Sequence, residues 1–323
     1  MYTTSELQEI IEKAISAIEY PQHPKNLYEP ISYIMNLGGK RLRPALVLIA
    51  ADLFDGNIEE AMPAALAIET FHNFTLIHDD IMDNAPLRRG QQTVHEKWGT
   101  NNAILSGDVM MVESNKQLTK VKVEVLKDVL DTFNATAQGV CEGQQLDMEF
   151  ELRHDVGIAE YIDMIRLKTA VLVGGAMKLG AIVGGATKEE AELIYDFGEN
   201  LGIAFQLQDD ILDVYGDPEK FGKQIGGDII ANKKTYLLLK LQELAGKDDL
   251  AALAQHATNT TTLSAKVDDI TALYDEYKVK ELATAQMREY LDKAFEALAG
   301  IKLPGSQKKV LIDLANALMH RES

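Results

Sequence analysis

The 323-residue chain contains a single cysteine, Cys141. One cysteine cannot form an internal disulfide or a zinc site built from several cysteines, which favours a reducing compartment, so we expect the protein in the cytoplasm. Positive charge is also scarce, because 32 basic residues face 50 acidic ones and the formal net charge is −18. A field of that sign repels the phosphates of nucleic acids and anionic lipids, so neither is an expected partner.

Long apolar runs are absent as well. The first residues lack the basic flank and apolar stretch of a signal peptide. The least polar stretch, residues 170–187, contains Lys178 and five glycines. It falls short of the ~20 predominantly apolar residues that a membrane-spanning helix needs. We therefore expect no membrane insertion and interpret this stretch as a tightly packed core helix.

The chain is rich in helical periodicity. Apolar residues recur at spacings of three and four along most of its length, as in residues 279–298, which is typical of amphipathic helices. No run of alternating apolar and polar residues is long enough to indicate a β-strand. Thr187 and Glu190 have the spacing of a capping box, which predicts that a helix begins there. No proline-rich or glycine-serine linker divides the chain, so the sequence predicts an all-α fold in a single domain, 1–323.

The pair Asp-Asp occurs four times, but only two of the copies have a third Asp three residues on. The pairs at 248–249 and 268–269 lie in charged, polar surroundings that are typical of a solvated helix face. The other two copies, residues 79–83 (DDIMD) and 209–213 (DDILD), each follow an apolar segment. Because uncompensated carboxylates are costly beside buried segments, these two motifs indicate a site.

The first and last aspartates of each motif are one helical turn apart and share a helix face, Asp79 with Asp83 and Asp209 with Asp213. Like charges so placed repel each other, and a cation relieves that repulsion. Carboxylate oxygens suit Mg²⁺, which also takes phosphate oxygens from a substrate. One such motif alone is as readily explained by surface acidity, but two motifs behind apolar segments favour a magnesium cluster.

Two basic clusters stand out in this acidic chain, residues 38–44 (GGKRLRP) and residues 88–90 (RRG). Arginine binds phosphate oxygens through two parallel hydrogen bonds, and lysine adds a compact charge, so both clusters fit anion binding. Surface salt bridging is the alternative for either cluster alone. His72 lies seven residues before Asp79 and is therefore predicted on the same side of a helix, where it can contact a diphosphate.

Together these motifs resemble those of the trans-isoprenyl diphosphate synthases, the polyprenyl synthetase family, over essentially the whole chain. The resemblance also includes Glu142-Gly143-Gln144, Lys168-Thr169 and Phe205-Gln206. It implies an isoprenoid-synthase-type bundle of helices around a deep central cavity. It also implies a cluster of three Mg²⁺ ions, two substrates (isopentenyl diphosphate and an allylic diphosphate) and a homodimer.

The resemblance assigns roles to individual residues. The residues implied to bind Mg²⁺ are Asp79, Asp83 and Asp209, and those implied to support them are Asp80, Asp210 and Asp213. The residues implied to hold the allylic diphosphate are Arg88, Lys168, Lys223 and Lys233. Those implied to hold isopentenyl diphosphate are Lys40, Arg43, His72 and Arg89. The groups implied to supply oxygens near the carbocation formed from the allylic substrate belong to Lys168, Thr169 and Gln206.

The length of the product is predicted from the helix before the first aspartate motif. Thr75 and Phe71 lie ~6 Å and ~12 Å below Asp79 along the helix axis. Thr75 is small, whereas relatives that stop at farnesyl diphosphate commonly have bulky residues one turn below the motif. Phe74 occupies a position where, by resemblance, an aromatic limits elongation in geranylgeranyl diphosphate synthases. The alternative is that Phe71 and Phe74 are core aromatics. We expect geranylgeranyl diphosphate, with farnesyl diphosphate as the alternative.

Two other classes of function compete with this prediction. A terpene cyclase shares the ionisation of an allylic diphosphate but needs no second diphosphate site, so Lys40, Arg43 and Arg89 argue against it. A non-catalytic subunit of a heteromeric synthase is expected to lose one aspartate motif, and both are intact here. One segment, residues 112–116, is more polar than the resemblance implies, which makes regular helix packing there an open question.

Overall fold

The structure is a computed structural model that describes residues 2–217, 225–258 and 263–319. Its first seven helices are α1 (Thr4–Ser16), α2 (Lys25–Met35), α3 (Leu42–Leu53), α4 (Ile58–Met82), α5 (Val94–Trp98), α6 (Thr100–Leu118) and α7 (Val123–Leu152). They are followed by α8 (Ile158–Ile165), a π-helical turn (Arg166–Ala170), α9 (Val171–Gly184) and α10 (Lys188–Tyr215). The remaining helices are α11 (Gly227–Ile230), α12 (Tyr236–Leu244), α13 (Lys247–Thr258), α14 (Leu263–Glu276), α15 (Val279–Gly300) and α16 (Gly305–Met319).

The described residues contain one small sheet, in which β1 (Leu87–Arg88) pairs antiparallel with β2 (Gln91–Gln92). The prediction of an all-α fold is therefore confirmed, and this hairpin is the one departure from it in the described residues. The predicted capping box is also present. The Thr187 hydroxyl donates to the Glu190 carboxylate at 2.7 Å, and the Glu190 N–H donates to the Thr187 hydroxyl at 3.3 Å, at the start of α10.

Contacts between residues group the chain into two compact units, and each unit is built from separate stretches of sequence. The first unit is formed by the described residues of Met1–Ala137, Gly175–Tyr195 and Lys302–Gln307. Its core is centred on α3 and α4, and α6 packs against α4. Gly180 and Gly184 of α9 lie against the backbone of α3, where added Cβ atoms would come within 2.0 Å and 2.8 Å of carbonyl oxygens. This close approach agrees with a tightly packed core helix.

The second unit is formed by the described residues of Gln138–Gly174, Asp196–Ile301 and Lys308–Ser323. Its core contains apolar side chains from α8, α10 and the helices that follow, among them Tyr161, Leu207 and Tyr236. The two units are defined by contacts within one chain, and such contacts do not show whether either unit folds independently. The single domain that the sequence predicts therefore stays a prediction.

One helical stretch among the described residues, Ile158–Gly184, is long and apolar enough to cross a bilayer, with a mean hydropathy of 1.4 in its apolar window. However, 61% of that window is buried inside the protein. The core helix of a soluble protein has the same properties, so this stretch is weak support for a membrane span.

The polar segment 112–116 forms a regular part of α6. The buried Ser114 hydroxyl donates to the Met110 carbonyl at 2.9 Å, and the Asn115 amide donates to the Met111 carbonyl at 3.0 Å. These polar side chains bond to the preceding turn of their own helix. The polarity of this segment is therefore compatible with regular helix packing.

Candidate active site

The first aspartate motif lies at the end of α4. Asp79 and Asp80 belong to its last turn, and Asp83 is the C-cap residue. The Asp83 N–H donates to the Asp79 carbonyl at 2.8 Å, so the two residues are on successive turns as the spacing predicts. Asp79 is half-buried and Asp83 is exposed. Both carboxylates can therefore reach a ligand at the end of this helix.

The middle aspartate of this motif is bound by an arginine. Asp80 is buried, and its carboxylate accepts hydrogen bonds from Arg88 Nε at 2.9 Å and from Nη2 at 2.7 Å. The Arg88 side chain comes from β1 and keeps 26% of its surface exposed. This geometry agrees with a supporting role for Asp80. It also means that Arg88 fixes the motif whether or not it binds a diphosphate.

The basic residues around Gly38 form a second group in the same unit. The backbone is left-handed at Gly38, Gly39 and Arg41, with φ of 75°, 144° and 45°. Arg89 Nη1 donates to the Gly38 carbonyl. A Cβ at Gly39 would come within 2.9 Å of Arg89 Nη2, so another residue there would displace this guanidinium. Lys40 is exposed on the same turn.

Arg43 and His72 complete this basic group. Arg43 Nη1 lies 3.3 Å from His72 Nε2, and Arg43 Nε is buried with no hydrogen-bond partner among the described residues. Burial, and then the positive charges of Arg43 and Arg89, hold the pKa of His72 well below its ordinary value of 6.5. His72 is therefore neutral at pH 7. A buried donor without a partner beside like charges is an environment that an anion would stabilise.

Arg41 lies in the same sequence cluster, but the structure gives it a different role. Its side chain is 1% exposed and donates to Glu12 at 2.7 Å, to Glu69 at 2.6 Å and to the Met35 carbonyl at 2.6 Å. The guanidinium is used within the fold. The sequence signal that could have indicated this was Glu69, an acidic residue within an otherwise apolar helical stretch.

The second aspartate motif lies in the last turns of α10. Asp210 is buried, and it accepts hydrogen bonds from the Tyr161 hydroxyl and from the Tyr236 N–H, the latter at 3.2 Å. Burial is the largest cause that raises the pKa of Asp210 from 3.8 to about 7, and the Tyr161 hydrogen bond opposes it. Asp209 is half-buried. The middle aspartate of this motif is thus bound by neutral donors.

The last aspartate of the second motif bonds to backbone. Asp213 Oδ2 accepts from the Asp228 N–H at 3.0 Å, and its carbonyl accepts from the Gly226 N–H at 2.7 Å. Asp213 therefore anchors the start of α11. The supporting role of Asp213 at a metal site stays a prediction. Lys233 lies beyond α11, with Nζ 3.9 Å from Asp228 Oδ1, and Lys223 lies outside the described residues.

The Lys168-Thr169 segment occupies the π-helical turn of the second unit. Lys168 Nζ pairs with the Asp147 carboxylate, and Thr169 Oγ1 lies 3.5 Å from Gln206 Oε1. A Cβ at Gly143 would come within 2.1 Å of the Lys168 backbone nitrogen. Gly143 therefore lets α7 approach the wide turn closely. The structure brings Lys168, Thr169 and Gln206 into one neighbourhood, as the resemblance implies, and π-helical turns are frequent at functional sites.

The three predicted chain-length residues differ in burial. Phe71 is fully buried and packs edge-to-face on Phe133 at 5.4 Å between ring centroids, so its contacts are those of a core aromatic. Phe74 and Thr75 are half-buried. The Phe74 ring lies 4.7 Å from His78. Phe74 and Thr75 are therefore the two of the three that keep accessible surface.

In the acidic pairs outside the motifs, Asp248, Asp268 and Asp269 are exposed as the sequence predicts, whereas Asp249 is half-buried and accepts a hydrogen bond from the Tyr277 hydroxyl at 2.6 Å. Among the described residues, no three His, Cys, Asp or Glu side chains form a ready-made metal site. Mg²⁺ often takes only one or two protein carboxylates and completes its shell with water and substrate phosphates. Asp79 and Asp83 lie on successive turns at the end of α4, so they could supply these one or two carboxylates.

Comparisons with known proteins give consistent results. The profile of the polyprenyl synthetase family matches residues 24–276. A geranylgeranyl diphosphate synthase of Methanosarcina mazei is 38% identical over 315 residues, covering 97% of this chain and 95% of the relative. A geranylfarnesyl diphosphate synthase of Natronomonas pharaonis is 38% identical over 257 residues, 74% of this chain and 75% of the relative. A crystal structure of a geranylgeranyl pyrophosphate synthase matches with a TM-score of 0.94 at 42% identity, over 100% of both chains.

Proposed function

The chain belongs to the polyprenyl synthetase family and is a prenyltransferase with the all-α isoprenoid synthase fold, and we propose that it condenses isopentenyl diphosphate with an allylic diphosphate to give geranylgeranyl diphosphate. The observation that carries this proposal is the basic group of the first unit. Arg43 Nε is buried without a hydrogen-bond partner among the described residues, and His72 and Arg89 lie near the Arg43 side chain. His72 is also on α4, the helix that ends in the first aspartate motif. A diphosphate site therefore adjoins a magnesium-binding helix end.

In this proposal isopentenyl diphosphate binds to Lys40, Arg43, His72 and Arg89. Arg43 and Arg89 supply the fork-shaped donors that match phosphate oxygens, and the exposed Lys40 adds a charge. His72 is neutral, so it adds no further positive charge to the group. Its ring can still form a hydrogen bond with the bound diphosphate. A second diphosphate site of this kind is what separates a prenyl synthase from a terpene cyclase.

The allylic diphosphate is assigned to the remaining predicted residues. Asp79, Asp83 and Asp209 are the proposed ligands of Mg²⁺, which, when bound, stabilises the negative charge that develops on the leaving diphosphate. Arg88, Lys168, Lys223 and Lys233 add positive charge. The allylic C–O bond breaks, the alkene of isopentenyl diphosphate attacks the allylic carbon, and a proton is lost to the released diphosphate. Oxygens supplied by Lys168, Thr169 and Gln206 stabilise the intermediate carbocation.

A condensation assay tests this function. Purified protein with Mg²⁺ and labelled isopentenyl diphosphate is given dimethylallyl, geranyl or farnesyl diphosphate, and the products are sized. We expect chains of four isoprene units to dominate. No condensation with any of the three primers refutes the proposal, and cyclic hydrocarbon products would indicate a terpene cyclase instead. Activity that appears only after a second protein is added would indicate a subunit of a heteromeric synthase.

The product length rests on Thr75 and Phe74, which keep accessible surface below the first aspartate motif. Relatives include both geranylgeranyl and geranylfarnesyl diphosphate synthases. The substitution Thr75→Phe places a second aromatic one turn below Asp79 and is expected to shorten the product, with farnesyl diphosphate accumulating. An unchanged product would contradict the assignment. Thr75→Ser is the matched control, because it keeps the hydroxyl that bonds to the His72 carbonyl at 2.8 Å.

We also propose a homodimer, a single functional domain and a cytoplasmic location. The surface of α6 supports the dimer, because Ile104, Leu105 and Val112 are exposed apolar residues on that helix. Light scattering coupled to size-exclusion chromatography gives the mass in solution. The expected mass is twice the 35.7 kDa of one chain. A monomeric mass at working concentration would contradict the dimer.

A further inference from the structure

We propose that α1 positions the loop Gly38–Arg41 for diphosphate binding, acting through Gln8 and Glu12. The inference rests on the proposed function, because this loop carries Lys40 and leads into Arg43. Helix α1 ends at Ser16 and so lies outside residues 24–276, the part of the chain that the family profile matches. Gln8 and Glu12 are therefore positioning residues that the family resemblance does not assign.

Hydrogen bonds of Gln8 and Glu12 join α1 to the loop, and the two shortest are both 2.7 Å long. Gln8 Nε2 donates to the Lys40 carbonyl at 2.7 Å, and Arg41 Nε donates to Glu12 Oε1 at 2.7 Å. Gln8 and Glu12 are one turn apart and share a face of α1. The helix itself is anchored, because its capping box is complete and Leu7, Ile11 and Ile15 are buried in the core. It is therefore a fixed support to which the loop is attached.

The loop needs such a support because its backbone is unusual. Gly38, Gly39 and Arg41 all have positive φ, and for Arg41 this conformation costs free energy that its surroundings must offset. Arg41 is also the N-cap residue of α3, where no side-chain cap is present. An open groove of about 640 Å³ is lined by residues of α1 and by Gly39, Lys40 and Arg41. The hydrogen bonds of Gln8 and Glu12 link the two sides of this groove.

The charges around Arg41 show which substitution is informative. Arg41 is bound from one side by Glu69, which is buried, and from the other by Glu12, which keeps 45% of its side chain exposed. Glu12→Gln leaves the Arg41–Glu69 pair intact, so the variant is expected to fold. Substitution of Glu69 would instead leave the buried Arg41 cation without its buried carboxylate. It would therefore lower stability as well as change the position of the loop.

The test compares the changes in KM for the two substrates. We expect Glu12→Gln and Gln8→Leu each to raise KM for isopentenyl diphosphate by about fivefold, and the double variant by more, with KM for the allylic diphosphate within about twofold of wild type. Glu12→Asp should restore part of the loss. Glu9→Gln is the matched control, because Glu9 is exposed on the same helix and its substitution removes the same charge. It should leave both KM values unchanged.

A second measurement separates this inference from the proposed function. Hydrogen–deuterium exchange of the full chain should show faster exchange in peptides covering residues 38–43 for Glu12→Gln, but not for Glu9→Gln. If wild type makes no prenyl product, the proposed function fails, and the exchange data still decide whether α1 holds the loop. Unchanged exchange, equal shifts of the two KM values, or an effect of Glu9→Gln equal to that of Glu12→Gln would overturn the inference.

Discussion

The two aspartate motifs share one spacing of acidic residues but have different surroundings. In the first motif the buried middle residue, Asp80, is bound by the guanidinium of Arg88. In the second, Asp210 is bound by the hydroxyl of Tyr161 and a backbone N–H, and burial raises its pKa to about 7. A buried carboxylate can be stabilised by a cation or by neutral donors and a proton, and this chain uses both solutions.

The difference extends to the groups around each motif. In the first unit, arginines crowd His72 and, together with burial, keep its pKa low. In the second, the negative charge of Asp228 adds to burial in raising the pKa of Asp210. Positive charges therefore act on His72 in the first unit, whereas a negative charge acts with burial on Asp210 in the second. Substitutions at matching positions of the two motifs should therefore have unequal effects on stability, even where their effects on catalysis are equal.

The largest expected effect concerns the outer aspartates. Asp79→Asn and Asp209→Asn should each lower kcat by about 10³-fold, because loss of metal-assisted charge stabilisation costs ~4 kcal/mol in the transition state. Steady-state rates at saturating substrates and Mg²⁺ measure this. Asp248→Asn, at an exposed aspartate outside the two motifs, is the control and should leave kcat unchanged. If only one motif proves essential, the two are not functionally equivalent.

The next effect is on stability and separates the middle aspartates. Asp80→Asn leaves the Arg88 cation without its carboxylate and should lower the free energy of unfolding by about 3 kcal/mol. Asp210→Asn keeps a carbonyl oxygen for its neutral donors and should cost only about 1 kcal/mol. Urea unfolding at pH 7 with a chelator measures both. Equal losses would show that the partner of the middle aspartate does not matter.

Removal of one neutral donor should have a smaller effect. Tyr161→Phe deletes the hydroxyl that bonds to buried Asp210 and is expected to lower the free energy of unfolding by about 1.5 kcal/mol. Tyr277→Phe is a matched control, because Tyr277 donates to Asp249 at 2.6 Å at a less buried position. It should lower the free energy of unfolding by less than Tyr161→Phe does. A larger loss for Tyr277 than for Tyr161 would contradict the importance of burial.

The smallest expected effect is a pH dependence in the first unit. The pKa of His72 is lower in the folded protein than in the unfolded chain, so the unfolded chain binds more protons below pH 6.5 and the free energy of unfolding falls as pH falls. Between pH 6.5 and 5.5 this contributes about 1 kcal/mol. His72→Gln should remove that part of the pH dependence. His154→Gln, at an exposed position, should leave it in place.

Local features of the structure could be predicted from the sequence. Helical periodicity predicts the all-α fold, and the Thr187–Glu190 spacing predicts the start of α10. Partners distant in sequence could not be predicted in this way. Nothing in the motifs indicates that Lys168 pairs with Asp147, or that Asp213 accepts from the Asp228 N–H. Such pairs depend on which helices pack together, whereas the motif spacing defines only which residues share a face.

Because of the π-helical turn Arg166–Ala170, the positions of Lys168 and Thr169 depend on the exact number of residues in this helical stretch. Such a turn holds one residue more than the α-helical path requires. Deleting Leu167 would let the stretch continue as an α-helix with little rotation of the flanking helices, because the turn already absorbs the extra residue. Tyr161 would keep its position against Asp210, but Lys168 and Thr169 would lose the widened backbone on which they lie. A change of one residue in length, with every motif intact, is therefore expected to displace this pair while leaving the helices around it in place.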